Sequence, residues 1–223
     1  IQDYRRGLVI GDSATHGKGT VQSLLDLGRQ LFQRLPNAPS LGALKITMQQ
    51  FYRPSGLSTQ MKGVKSDVKL PSITDHLPVG ESDLDNAIPF DRVDTADFSA
   101  TNNVNESMLE TLQQRSDVRV ADDEEFQELA TDIARYEERK NEKTLSLLES
   151  DFVKEWNEGK AAEKEEEKKQ EENAGPRRPV VRRDFYFAEA MRVTTDYLSV
   201  LSGAAMPSLA KSEGKTEVQS EAR

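Results

Sequence analysis

Apolar positions in the first half of the chain fall in short runs or alternate, whereas in the second half they recur at steps of three and four. Leu8-Val9-Ile10 is a brief apolar run suited to a buried strand, and Leu44-Lys45-Ile46-Thr47-Met48 alternates cleanly and reads as a strand. The second run is expected to turn through Arg53-Pro54-Ser55-Gly56 into Thr59-Gln60 and Gly63-Val64, forming a hairpin beside the loop of residues 11–19. Between the two runs, Leu24, Leu27, Leu31 and Leu35 fit a helical stripe and a strand equally well.

From residue 71 to 101 apolar content thins and acidic turn residues dominate, among them Glu81, Asp83, Asp85, Asp91, Asp94 and Asp97. They lack the spacing of an EF-hand loop, so a solvated connection is expected, with a domain boundary at residues 101–103. Beyond it the period becomes helical. Ser107 is expected to cap a helix carrying Met108, Leu109 and Leu112 and ending near Arg115-Ser116. Asp122 or Asp123 can cap the next, whose face is Phe126, Leu129, Ile133 and Tyr136. Leu145, Leu148, Phe152 and Trp156 form a further stripe, followed by a charged spacer over residues 158–180 that Gly175-Pro176 breaks. A last helix over residues 184–202 places Phe187, Met191, Thr194, Leu198 and Leu201 on a stripe expected to pack on Phe126, Leu129 and Ile133. Residues 207–223 read as a disordered tail. The predicted class is α+β: a partial α/β core over residues 1–101, then a mostly helical domain over 102–206.

Composition changes this picture little. Of 223 residues, 35% are hydrophobic and 31% charged, so part of the length must be solvated helix or tail. The net charge of −9 and the lack of a long basic stripe argue against nucleic acid. Arg177, Arg178, Arg182 and Arg183 read as the solvated edge of a linker. There is no cysteine, which removes thiol chemistry, and His16 and His76 are too far apart for a zinc site. No cofactor is expected. No apolar run is long enough to span a bilayer.

Candidate chemistry concentrates in GLVIGDSATHGKGTVQ, residues 7–22, where Lys18 stands between Gly17 and Gly19 on a loop leaving the first strand. Without a Cβ on either side, backbone or ligand can approach closely. A phosphate-binding loop fits poorly: five residues separate Gly11 from Gly17, and Gly19 stands where a hydroxyl residue should hold magnesium. General-base catalysis needs a neutral lysine, a nucleophile elsewhere and an orienting group such as Gln22, on the same face of an extended segment. A plain solvated loop lysine remains open on pattern alone. A triad of Asp12, Ser13 and His16 is disfavoured, because near-adjacent loop side chains splay apart and turn bonds account for the first two.

The run QDYRRGLVIGDSATHGKGTVQ resembles the catalytic-lysine segment of the carboxyl-terminal processing, or tail-specific, serine proteases. TMQQFYRPSGLSTQMKGVKSDVKLP, residues 47–71, resembles the segment that follows it in the same family, and EFQELATDIARYEE, residues 125–138, its helical C-terminal region. The resemblance implies that Lys18 is the general base, Gln22 the amide that orients it, and Asp3 a supporting acid. It implies a strand or hairpin after Gln22, and a nucleophilic serine lying before Ile1, so that the chain reads as the C-terminal part of a longer enzyme and is by itself inactive. It further implies polypeptide substrates bound by their C-termini through strand addition, a bacterial periplasm or envelope setting, and room for an adaptor protein on the helical region. The competing reading is a charged helical interaction or scaffold module, with a purely structural glycine loop.

Overall fold

The computed structural model describes residues 1–32, 39–144, 147–150, 152–154, 156–157, 160 and 184–209. Leu35, Leu145, most of the spacer at 158–180 with Gly175-Pro176, the four arginines 177, 178, 182 and 183, and tail residues 210–223 lie outside the described residues. The class is α+β, with two small sheets in the first half and helices in the second.

Strand β1, Ile10–Gly11, pairs in parallel with β4, Val68–Lys69, in the register Ile10↔Val68. β2, Thr20–Asp26, pairs antiparallel with β3, Ala43–Gln50. The ambiguous leucine stripe therefore resolves as strand through Asp26, whose side chain then caps the short helix α1, Leu27–Leu31, by accepting from the Arg29 amide. Register jumps from Val21↔Gln49 to Gln22↔Thr47, leaving Met48 as the extra residue of a bulge in β3.

The expected hairpin has a different partner. The turn at Arg53-Pro54-Ser55-Gly56 forms, with the Gly56 amide donating to Arg53 O, but among the described residues its two arms are paired only at the bridge Tyr52↔Ser58. β3 pairs instead with β2, because residues 59–63 curl away through Met61 and Gly63, both at positive φ, to lie against residues 15–19.

Helix α2 is Glu106–Asp122, α3 is Glu124–Asn141 and α4 is Phe185–Ser202. Asp123 caps α3, as the pattern indicated, and Asp184 caps α4. The cap of α2 is Asn105, not Ser107: its extended backbone turns the side-chain oxygen onto the Met108 amide. Nor does α2 stop at Arg115-Ser116. Those polar residues face α4, and the Ser116 hydroxyl donates to Glu189 Oε1 at 2.8 Å.

The packing face of α4 is also not the expected one. Met191, Leu198 and Leu201 are exposed, while Glu189, Val193 and Asp196 are buried, at the helical steps four and three. They meet a matching row on α2, Met108, Leu112, Ser116 and Arg119. Arg119 forks between the acids: Nε lies 3.0 Å from both oxygens of Glu189, Nη2 2.8 Å from Glu189 Oε1, and Nη1 2.8 Å from Asp196 Oδ2. Arg115 adds charge, its Nε 3.0 Å from Asp196 Oδ2 but out of line for a hydrogen bond. Burial works against the Arg119 charge, yet the bonds and charges of Glu189 and Asp196 outweigh it and raise the guanidinium pKa. Two buried carboxylates need such a partner, so this face wins over the apolar one. α4 meets α3 at its start, where Phe185 and Tyr186 set their rings edge-on to buried Phe126 at 4.8 and 5.4 Å, and Arg192 lies 3.8 Å from Asp123, the cap of α3.

Below this ion cluster Val68, Met108, Leu112 and Val193 form a core against which Leu8, Ile10, Tyr197 and Val200 pack. The first strand run and the helices thus share one interior. Gln113 closes the free edge of β4, accepting from the Lys69 amide at 2.7 Å and donating to Lys69 O at 3.0 Å, as a further strand would.

Truncating Arg119 leaves Glu189 and Asp196 buried without their main counter-charge, and Arg119→Ala is expected to cost about 3–5 kcal/mol in urea unfolding. Leu198→Ala, on the exposed face, should change stability by less than about 0.5 kcal/mol in the same assay. A large Leu198 effect with a small Arg119 effect would reverse the assignment of faces.

Candidate active site

The loop between β1 and β2 is held along its length by residues 58–70. Leu70 N donates to Gly11 O at 2.8 Å, Ser66 N to Ser13 O at 3.1 Å and Thr15 N to Val64 O at 3.0 Å. Around Lys18 the holding is closest. The Met61 amide donates to Gly17 O at 2.7 Å, the Thr59 hydroxyl to Lys18 O at 2.9 Å, and the Gly19 amide to Gln60 Oε1 at 2.8 Å. The two peptide groups that flank Lys18 are therefore gripped by three consecutive residues. This explains the glycines: a Cβ on Gly19 would stand 2.5 Å from the Gln60 nitrogen, and Gly17 has φ of 93° with Met61 backbone 3.0 Å from where its Cβ would be. The close approach they permit is by backbone of the same chain.

Held in this way, the Lys18 side chain is exposed, and its Nζ donates to Thr20 Oγ1 at 3.0 Å. Among the described residues no carboxylate pairs with it, and no hydrogen bond joins it to Gln22, which is exposed on β2 two residues beyond Thr20. Lys18, Thr20 and Gln22 follow one another two residues apart, Thr20 and Gln22 within β2 and Lys18 just ahead of it. Thr20, a neutral acceptor 5% exposed, was not anticipated from sequence, where only the residue types flanking Lys18 drew notice.

Asp3 lies apart from Lys18, on the turn of residues 53–56. Its carboxylate pairs with the Arg53 guanidinium and accepts from the Ser55 amide at 3.1 Å and hydroxyl at 2.9 Å. Arg53 also donates to Gln2 Oε1 at 2.9 Å, so the first residues are fastened to the turn after β3. Burial opposes the Asp3 charge, but the bonds from Arg53 and Ser55 together hold its carboxyl below the usual 3.8.

The Asp12, Ser13 and His16 set does not assemble. Ser13 donates through Oγ to Asp75 Oδ1 at 2.6 Å and through its amide at 3.0 Å, and Asp12 accepts from the Thr74 hydroxyl. His16 is exposed, and its carbonyl accepts from the Glu81 amide at 3.1 Å. Asp12 and Ser13 thus bind the 3-10 turn Ile73–His76 across the fold and not their own loop. That turn in turn meets α3, with His76 Nδ1 2.7 Å from Glu137 Oε1.

Residues 1–70 match the model of peptidase family S41, and residues 74–199 match that of the C-terminal domain of tail specific protease. The second match covers more than half of the 223 residues, and the chain belongs to the tail-specific protease family. It is 40% identical over 149 residues to the Tail-specific protease of Haemophilus influenzae, 66% of this chain and 21% of that protein. It is 37% identical over 68 residues to the Carboxy-terminal-processing protease of Bartonella bacilliformis, 30% of this chain and 13% of that protein. The chain spans about a fifth of the length of the first of these relatives.

Asp3→Asn keeps the shape but removes the charge that Arg53 and Ser55 hold, and is expected to cost about 1.5–3 kcal/mol at pH 7. Because the folded pKa is lowered, that stabilisation is present above the unfolded value and fades as pH falls through the folded one. Urea midpoints of the two proteins should therefore converge as pH falls through the lowered Asp3 pKa. A gap independent of pH would show that the Asp3 charge contributes nothing.

Proposed function

We propose that this chain is the C-terminal portion of a serine endopeptidase in which Lys18 is the general base and Gln22 its orienting amide, the nucleophilic serine being supplied from outside residues 1–223. Family membership supports a protease acting on polypeptides, and the setting of Lys18 supports its role. The observation that carries the reading is an amine presented from an immobilised peptide, bonded to a hydroxyl and free of any carboxylate among the described residues. An ammonium has no lone pair with which to take a serine proton, and a neighbouring carboxylate would favour that ammonium. A hydroxyl or an amide can accept an amine hydrogen bond without adding such a charge. Thr20 holds the amine in the present arrangement, and Gln22 takes it over when the serine side of the site is in place.

Substrates are polypeptides recognised by their C-terminal residues, taken up as an added strand at a sheet edge, in a bacterial periplasm or envelope. Among the described residues no helix is long and apolar enough to cross a membrane. Asp3 serves by fixing the turn at residues 53–56, whose continuation at 59–61 grips the lysine loop. In this reading the domain boundary falls at residues 101–103, which is supported by Thr101 donating to Tyr4 O at 3.1 Å and Arg5 O at 2.7 Å.

In the full-length protein, Lys18→Ala and Lys18→Arg should each reduce turnover of a reporter with an apolar C-terminus by at least about 10³-fold, since a guanidinium stays protonated and members of a catalytic unit fail together. Gln22→Glu should be at least as damaging as Gln22→Ala. Near-normal turnover by Lys18→Arg would eliminate Lys18 as the base and leave a non-catalytic interaction module as the better reading. The 223-residue chain alone should show no turnover above background, and activity that survives purification but is lost in Lys18→Ala would overturn that expectation.

A further inference from the structure

Gln60 is fully buried, and every polar atom of its amide is used. Oε1 accepts from the Gly19 amide at 2.8 Å, and Nε2 donates to Glu81 Oε1 at 2.9 Å. The orientation of the amide follows from its neighbours, because an N–H on one side and a carboxylate on the other can be satisfied only this way round. The backbone amide of Gln60 is bound as well, donating to the Ser58 hydroxyl at 3.0 Å. Glu81 grips the same loop a second time: its amide donates to His16 O at 3.1 Å. Residue 81 lies within the stretch matching the C-terminal domain of tail specific protease, whereas Lys18 and Gln60 lie within the peptidase stretch.

We infer that Gln60 and Glu81 are positioning residues for Lys18, through which the segment of residues 72–83 sets the place of the base. The inference rests on Lys18 being that base. Glu81 orders the Gln60 amide, the amide fixes the Gly19 N–H, and the peptide following Lys18 fixes where the amine starts. The rest of the 72–83 segment holds the same loop further back, through Thr74 on Asp12 and Asp75 on Ser13. Loss of the Gln60 bond leaves the peptide that follows Lys18 held by the Thr59 hydroxyl alone, which loosens the base at its root, and a displacement of about 1 Å in a catalytic group costs on the order of 10²-fold in rate.

The test uses the full-length protein with a C-terminally recognised reporter, reading kcat and KM separately per folded molecule, with thermal unfolding and hydrogen exchange at the Gly19 amide alongside. Gln60→Ala should lower kcat about 10- to 100-fold with KM little changed, and should speed Gly19 exchange. Gln60→Glu sets two carboxylates against each other and should lose as much. Combining Gln60→Glu with Glu81→Gln exchanges the two groups, so that the new amide at position 81 donates to the new carboxylate, which still accepts from Gly19; most of kcat should return. If Gln60→Ala does not fold, the comparison of Gln60→Glu with the exchanged pair decides. An exchanged pair that recovers stability but not kcat, or Gln60 variants with unchanged kcat while Lys18→Ala is inactive, would overturn the inference and leave the base assignment standing. A Lys18→Ala protein that still turns over would instead remove the base assignment itself.

Discussion

The fork of Arg119 between Glu189 and Asp196 decides how the second half of the molecule is put together. Two carboxylates, 0% and 1% exposed, sit on one face of α4, and they can be buried only where a cation with several donors meets them. α2 supplies that cation, with Ser116 filling a further acceptor site on Glu189. Once the fork closes, the turns of α4 beyond it bring Val193, Tyr197 and Val200 over Met108, Leu112 and Val68. The apolar residues on the other side of α4 are left facing outward because charge, not area, sets the rotation of the helix.

From that helix pair the constraint runs to the lysine loop through short steps. Val68 in the core belongs to β4, and Gln113 of α2 holds the edge of the same strand at Lys69. Tyr186 of α4 reaches Pro71 O at 2.6 Å. Lys69 lies 3.4 Å from Asp75, and burial of that carboxylate is outweighed by its bonds from Ser13 and Lys69, so its pKa is lowered. The loop of residues 11–19 is thus bounded on one side by the strand segment 58–70 and on the other by the turn at 73–76 and by Glu81. Lys18 projects from a peptide that has little freedom, although its own side chain is open to solvent.

Much of this was legible in the sequence. The β1 run, the β3 alternation, the cap at Asp123 and the extent of α4 all follow from local pattern, because each depends on spacing within one element or on a side chain beside its own backbone. The glycines flanking Lys18 mark a close approach of backbone, and residue types alone announce that. Resemblance in three blocks pointed to the family that the comparisons bear out.

What only the tertiary structure decided were the partnerships between distant residues. Hydrophobic periodicity located α4 but chose its apolar face, since two acids at helical spacing read as a solvated side until an arginine seventy residues away is seen to meet them. The partner of β3 was likewise misassigned to residues 59–64, because pairing is set by where residues 59–63 turn, and that turn is fixed by contacts with residues 15–19. Gln60 and Thr20 had no mark in the sequence, an amide and a hydroxyl in polar stretches, and acquire their roles from burial against Gly19 and Lys18. Local chemistry fixes elements and their ends, whereas the pairing of buried polar groups depends on which surfaces meet, and that is a property of the folded chain alone.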